Sequence, residues 1–160
     1  MTSARAESKV ADLQVQIDVP PTWDPFLEDD IGEAFASILA QRFRQMGYAG
    51  VIDYVQAPRA PNPDLPLLSL RLIEWRINRA GNGECTFAAA LRPASTAKEI
   101  NLGLVSNSEF TWIRERGRFG LARARDIANS LEDTAQGAMR ELYTRVAETR
   151  SVPGLLKQRR

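Results

Sequence analysis

Histidine is absent from this 160-residue chain, and cysteine occurs once, as Cys85. Histidine is the side chain whose ordinary pKa lies nearest neutrality, and it is the commonest ligand of catalytic metals. Its absence excludes Ser-His-Asp and Cys-His catalysis and histidine-based zinc and iron sites. A single cysteine excludes an internal disulfide bond and a cysteine metal cluster. We therefore expect no metal, no cofactor and no catalytic residue, and we predict that the protein is not an enzyme.

The chain also lacks an excess of charge and a long apolar run. Its 21 Lys and Arg residues nearly balance its 20 Asp and Glu residues, so the net charge is +1. A charge this small provides no field that attracts nucleic acid, so we do not expect nucleic acid as a partner. No apolar run is long enough for a transmembrane segment, and residues 1–10 lack the apolar core of a secretory signal. The sequence as it stands indicates a cytoplasmic protein, whereas a leader removed from a longer precursor would place it in the periplasm or cell envelope.

The composition is that of one globular domain. Hydrophobic residues make up 44% and charged residues 26% of the chain, and 160 residues suffice for a single core. Residues 1–9 are small and polar, which predicts a disordered N-terminal segment. Residues 10–150 are predicted to form a single α+β domain. Residues 151–160 begin with a helix-breaking Pro153-Gly154 pair and end in basic residues, which predicts a flexible basic tail.

Residues 24–47 have the pattern of an amphipathic helix. Asp24 is placed to cap the free N–H groups, Pro25 suits the first helical position, and Gly47 suits the left-handed C-terminal cap. Between them, apolar residues recur at steps of three and four: Ile31, Ala34, Phe35, Ile38, Leu39, Phe43 and Met46. An apolar stripe this wide has to lie on another apolar surface.

Alternating apolar residues predict strands on both sides of this helix. The strand predictions cover residues 10–19, 48–56, 67–77, 84–91 and 100–104, with residues 110–113 continuing the last strand or forming another. A capping-box pattern starting at Ser130 predicts the final helix. The order βαβββ(β)α predicts an α+β two-layer sandwich, with two helices on one face of a mostly antiparallel sheet of four to six strands.

The strand at residues 67–77 changes its apolar phase. Leu68, Leu70 and Leu72 share one face, whereas Ile73, Trp75 and Ile77 would share the other. This change of phase between Leu72 and Ile73 indicates either a bulge or a strand whose far half has its other side covered. We take the second set as candidate contacts with a partner. Trp23 is a further candidate, although packing on the first turns of the helix is the more ordinary role for a residue placed before the cap.

Two other segments have both a structural and a functional interpretation. The segment 57–66 contains Pro58, Pro61, Pro63 and Pro66, so it is predicted to be a stiff connector, with a ligand for an aromatic groove as the alternative. The loop 114–125 combines glycines and Phe119 with a cluster of arginines, which makes it a candidate anion-binding or nucleic-acid-binding site. The candidate anion-binding residues are Arg114, Arg116, Arg118, Arg123 and Arg125. A solvated loop paired with nearby carboxylates is the simpler explanation.

Two further groups have an ordinary structural explanation. The acidic residues Glu28, Asp29 and Asp30 suit the positive end of a helix dipole, so a carboxylate-based hydrolase is only a third hypothesis. Cys85 alternates with Phe87, Ala89 and Leu91, as in the inward face of a strand. We expect a core thiol there, since an apolar setting raises the pKa of a thiol and suppresses its reactivity.

The order of elements resembles that of a group of small bacterial envelope domains. The resemblance lies in VADLQVQIDV, in the helix DPFLEDDIGEAFASILAQRFRQMGY, in the strand LLSLRLIEWRI and in the closing ANSLEDTAQGAMRELYTRVAE, and it covers residues 10–148. That group includes the amino-terminal domain of the Tol-system translocation protein and several short lipoproteins associated with the outer membrane. The chain departs from the lipoproteins because no lipobox cysteine lies near its start.

The resemblance implies a protein that binds protein partners. We therefore predict a non-enzymatic accessory protein of the cell envelope that acts through protein–protein contacts, with another protein or copies of itself as partner. An anion-binding or nucleic-acid-binding module that uses the loop 114–125 is the alternative.

Overall fold

The computed structural model describes residues 11–23, 28–93, 98–110 and 120–155. In that part of the chain the elements are β1 (Leu13–Asp18), α1 (Glu28–Gln45), β2 (Ile52–Tyr54), β3 (Leu67–Ile77), β4 (Asn82–Arg92), β5 (Ile100–Phe110) and α2 (Gly120–Thr149). The predicted disordered segment 1–9 and the predicted cap at Asp24 and Pro25 lie outside the described residues. The helices in the described ranges are too short or too polar to cross a membrane.

The five strands form one mixed sheet in the order β2-β1-β3-β4-β5. β1 is parallel to β2 and β3, whereas β3-β4 and β4-β5 are antiparallel. Both helices pack on the same face, and the predicted α+β two-layer class is confirmed. Residues 100–110 form a single strand, so Phe110 continues it, whereas residues 111–113 lie outside the described residues.

The core lies between the sheet and the two helices. Cys85, Phe87, Ala89 and Leu91 are at most 3% exposed, which confirms the predicted inward face of β4. Phe35 of α1 lies edge-on against Phe87, with ring centroids 5.5 Å apart. Aromatic edge-to-face contacts of this kind add to the stabilisation that burial of apolar area provides.

A bulge interrupts the pairing of β3 with β4, as the phase change in the sequence predicts. The register shifts between Leu72 and Glu74, and beyond the shift Trp75 lies opposite Cys85. One extra residue on β3 reverses the alternation, so Trp75 returns to the face covered by the helices. Ile73, in the bulge, is 43% exposed, whereas Ile77 is only partly exposed. The expectation that all three share one exposed face is therefore wrong.

The final helix begins at Gly120, well before the predicted start at Ser130. The prediction of a helix start at Ser130 is wrong. Ser130 lies inside the helix, and its backbone oxygen accepts a 2.7 Å hydrogen bond from Thr134 Oγ1. The residues ahead of it include Leu, Ala and Arg, which are good helix formers. Arg123 and Arg125 therefore belong to α2 and not to a loop.

The segment after α2 is part of the core and not a tail. Val152 is 2% exposed and Leu155 is fully buried. Gly154, with φ of 87°, turns the chain here and lies close to the ring of Tyr48. The prediction of a flexible tail is wrong for residues 151–155, because apolar side chains that find a core site outweigh the local helix breakers; residues 156–160 lie outside the described ranges.

Candidate functional site

The sheet has one face that no helix covers in the part of the chain that the structure describes. We call it the outer face. Alternation along the strands places on it Gln14, Gln16, Asp18, Leu67, Ser69, Arg71, Ile73, Thr86, Ala88, Ala90, Leu104 and Ser106. A sheet in a two-layer protein normally leaves one face in water, so the character of this face decides whether it has a further role.

Small side chains form a depression in the centre of the outer face. Ser69 lies beside Ala90, and Arg71 beside Ala88, so the side chains around Arg71 in the middle of the sheet are small. The groove above these residues has a volume of about 730 Å³. Leu104 lies opposite Ala88 on β5 and is 59% exposed. Leu104 therefore adds an exposed apolar side chain beside the shallow floor of the groove.

The proline-rich segment 57–66 borders one end of the groove. Gln14 is 2% exposed because its amide group is bonded to this segment. Its Nε2 donates to Asn62 O at 2.9 Å, and its Oε1 accepts from Asn62 N at 2.7 Å. Arg92 Nη2 also donates to Asn62 O, at 3.1 Å. These bonds anchor the segment to the sheet, as expected for a connector.

Two opposite charges lie side by side within the groove. Asp18 on β1 and Arg71 on β3 are register partners, and both are exposed. Among the described residues neither side chain forms an ion pair. Gln16 and Glu99 also line the groove, so its surroundings are polar. An arginine and a carboxylate left unpaired on an open surface are available to charged groups of another molecule.

Near the start of the edge strand β5, a side chain of α2 binds backbone groups of the strand. Arg145 Nη1 donates to Leu102 O at 2.8 Å and to Leu104 O at 2.7 Å. Asn101 Oδ1 accepts from Gly103 N at 2.9 Å, in a bulge where the φ of Gly103 is 83°. Edge groups that are bonded within the chain do not pair with another strand.

The opposite edge, β2, is short and also occupied. It has three residues, and Arg59 Nη2 donates to Tyr54 O at 2.8 Å. The same guanidinium group binds both carboxylate oxygens of Asp53, at 2.9 and 3.1 Å. The side-chain hydrogen bond to Asp53 raises the pKa of Arg59. Both edges of the sheet are therefore engaged over part of their length.

Three of the predicted partner contacts come together, but not on the groove. Trp23, Ile73 and Trp75 line a smaller cavity of about 400 Å³ with Glu74 and Arg76, while Ile77 does not line it. The indole of Trp75 is committed to the fold, because its Nε1 donates to Leu131 O at 2.8 Å and its ring lies 5.1 Å from that of Phe35. Of this set, Ile73 offers the most exposed side chain.

The other candidates are not assembled into a site. Arg114, Arg116 and Arg118 lie outside the described residues, and only the backbone of Arg123 and Arg125 is described, so anion binding by this set stays a prediction. Cys85 is fully buried, and desolvation raises the pKa of its thiol to about 12. In the described ranges no three or more His, Cys, Asp or Glu side chains come close enough to hold a metal ion.

Sequence reasoning missed the residues of the groove. Asp18, Arg71 and Leu104 lie on three different strands, and their neighbourhood depends on strand order and register. The one available signal was the run of Thr86, Ala88 and Ala90 on the outward side of β4, whose small side chains admit close approach by another chain.

Comparison with known proteins gives likeness of fold alone. No family model matches the chain, and no curated protein matches it. Solved structures do match. The fold is similar to that of PelC. A structure described as the PelC dodecamer from Paraburkholderia phytofirmans is 15% identical, with a TM-score of 0.53 over 94% of this chain and 93% of that chain. A dodecamer of a PelC variant from the same organism is 19% identical over 84% of this chain and 90% of that chain, with a TM-score of 0.53.

A further similar structure is the hypothetical protein CT253 from Chlamydia trachomatis. It is 11% identical, with a TM-score of 0.51 over 86% of this chain and 96% of that chain. Rare lipoprotein B from Shewanella oneidensis is 13% identical, with a TM-score of 0.40 over 86% of this chain and 96% of that chain. Bacterial lipoproteins are thus among the structures that match. The resemblance to the Tol-system domain stays a prediction.

Proposed function

We propose that this protein is a non-enzymatic accessory protein of the bacterial cell envelope that acts by binding protein through its outer face. The observation that supports this most directly is the groove beside Leu104. Its floor of small side chains is open, and the adjoining leucine is exposed where burial would be favourable. Covering a surface of this kind with another polypeptide lowers the free energy, because apolar area leaves the water.

The geometry of the sheet favours the outer face over other surfaces. A sheet associates through its edges or through its faces. One face is covered by α1 and α2, and the edges are engaged by Arg145 and Arg59. In the described part of the chain, the outer face is the sheet surface left without a covering element.

Assembly is the form of protein contact that the fold likeness suggests. The PelC structures are described as dodecamers, and this chain shares their fold over most of its length. We extend self-association to this chain as part of the proposal. Its placement in the envelope rests on the resemblance in element order.

Site-specific photo-crosslinking in cells tests this function. A photoreactive residue at Ala88 or Ser106 would report on the outer face, and one at Arg140, exposed on α2, is the matched control. We expect discrete protein adducts from the first two positions and none from the control. The adducts should also weaken when Leu104 is replaced by Asp. Absence of adducts at both outer-face positions would overturn the proposal.

Fractionation tests the compartment separately. The gene expressed from its own locus should yield protein that co-purifies with envelope fractions. Recovery in the cytosolic fraction alone would contradict the envelope part of the proposal and leave the binding part standing.

A further inference from the structure

We propose that the occupant of the outer face is a second copy of this chain, seated so that Arg71 of each copy faces Asp18 of the other. This inference rests on the function proposed above and names its partner. It is carried by the arrangement of charge on the outer face.

A surface with one positive and one negative group side by side is complementary to itself. Asp18 and Arg71 lie on the adjacent strands β1 and β3 at matching register positions. A two-fold axis running between these strands places each charge of one copy opposite the counter-charge of the other. Contacts across a two-fold axis are reciprocal, so a single complementary pair is used twice.

Neither charge is committed inside the chain. Both side chains are exposed, and in the described ranges the ion pairs are formed by other residues, such as Arg76 with Glu74 and Glu84. Arg71 is therefore able to form a two-point contact with the Asp18 carboxylate of the other copy. Arginine is suited to this role because its planar guanidinium group matches both oxygens of a carboxylate.

The floor of the groove allows the close approach that such a pair requires. Packed sheets lie about 10 Å apart, so the side chains between them have to be small or interdigitate. Ser69, Ala88 and Ala90 surround Arg71 on the same face, so they leave space above the sheet in which Arg71 can turn towards the other copy. Larger residues at these positions would hold the sheets apart.

The charges should decide partner choice and rate of encounter more than overall affinity. Ion pairs at an interface favour the complementary orientation and penalise like charges that are brought together. Glu99 lines the same groove and adds negative charge at its far side. Self-association of the intact chain should therefore weaken as salt is added, because salt screens partly exposed pairs.

Reversing one charge at a time tests the inference. Arg71→Glu makes the groove uniformly negative, whereas Asp18→Lys makes its centre positive. Each variant alone should self-associate at least tenfold more weakly than the wild type in sedimentation velocity. An equimolar mixture should recover association, with native mass spectrometry showing one copy of each variant in the dimer. Arg140→Glu on α2 is the matched charge-change control and should behave as the wild type.

Three results would overturn the inference. They are self-association of either variant that matches the wild type, a mixture that fails to combine, and a monomeric wild type that crosslinks through Ala88 to a protein of different mass. In the last case the proposed function stands and only the identity of the partner is wrong. Circular dichroism of each variant checks the fold. Arg71→Gln and Asp18→Asn provide a milder pair of variants. Each alone should weaken association, and their mixture should recover it in part because the mixed dimer keeps one Arg71–Asp18 pair.

Discussion

At the scale of single residues, burial separates side chains that look alike in the sequence. Ile73 and Trp75 are both apolar residues of β3, and both are candidate partner contacts by their spacing. The bulge at Leu72 leaves Ile73 exposed but turns Trp75 toward α1 and α2. Trp75 then acts as a structural link, because its indole is bonded to Leu131 and packed on Phe35.

Trp75→Ala should therefore destabilise the fold far more than Ile73→Ala. We expect a loss of about 2–4 kcal/mol for Trp75→Ala, because it removes a large packed ring and its hydrogen bond. Ile73→Ala should cost under about 1 kcal/mol, since much of that side chain is already in water. Urea unfolding of the two variants provides the comparison, and equal losses would contradict the placement of Trp75.

Two buried acidic groups make a prediction about alkaline pH. Desolvation raises the pKa of Cys85 and that of Tyr48 to about 12 each. A pKa that is higher in the folded state means that the neutral form is favoured there, so this stabilisation is present below the unfolded pKa and is lost as pH rises. The urea midpoint should be level up to about pH 9 and should then fall towards pH 12.

Tyr48→Phe is the control for this effect. The Tyr48 hydroxyl is buried and has no hydrogen-bond partner among the described residues, so its removal should not destabilise the protein at neutral pH. The variant should lose less stability than the wild type between pH 10 and 12. The Cys85 thiol should also resist thiol reagents at pH 8 until the protein is unfolded.

At the scale of elements, the contact between α2 and β5 determines which backbone groups at the edge of the sheet are hydrogen-bonded within the chain. Arg145 reaches from the helix to the carbonyl oxygens of Leu102 and Leu104, and its Nε donates to Glu141 at 3.0 Å. One side chain thereby joins the helix to the edge strand and occupies backbone groups that would otherwise accept another strand.

Arg145→Met should loosen this contact. We expect a loss of about 1–2 kcal/mol in urea unfolding, because charge-assisted hydrogen bonds disappear from a side chain that is about one-third exposed. Light scattering should also show aggregation that grows with protein concentration. Arg140→Met, on the exposed side of the same helix, should change stability by less than about 0.5 kcal/mol. Equal behaviour of the two variants would contradict the role of Arg145.

Gly137 of α2 provides a second test of the same contact. Alanine normally stabilises a helix relative to glycine by about 1 kcal/mol. A methyl group on Gly137 would collide with the amide of Asn107, which donates to Thr134 O at 2.9 Å. Gly137→Ala should therefore destabilise the wild type by about 1–3 kcal/mol, as overpacking usually does. In an Asn107→Ala background the same change should stabilise, and a double-mutant cycle in urea measures the reversal.

At the scale of the whole molecule, the end of the described chain completes the core. Val152 and Leu155 are buried with residues from both helices and the sheet, so the segment after α2 contributes to the stability of the entire domain. The domain therefore extends to Leu155 at least, beyond the predicted limit at residue 150.

Leu155→Ala should destabilise the protein by about 2–4 kcal/mol, because it leaves a cavity at a fully buried position. Pro153→Ala, two residues earlier and exposed, is the control and should change stability by less than about 1 kcal/mol. Differential scanning calorimetry of both variants measures the difference. A Leu155→Ala variant as stable as the control would restore the interpretation of this segment as a tail.

The sequence by itself determined the class of fold and the inward faces of β1, β4 and the first half of β3. Periodicity is a local property, so the stripe of α1, the burial of Cys85 and Phe87 and the bulge near Leu72 all follow from residues close together in the chain. Composition limited the chemistry in the same way, since a chain without histidine excludes whole classes of site wherever its elements lie.

Only the tertiary structure decided which distant residues share a surface. Asp18, Arg71, Ala88 and Leu104 form one row across the sheet because β1, β3, β4 and β5 are neighbours in a particular register. Strand order and register result from long-range packing, which leaves no periodic trace in any single segment. The burial of Leu155 also depends on long-range packing. The Pro153-Gly154 pair shows that the helix ends, but it does not show that the core has a site for Leu155.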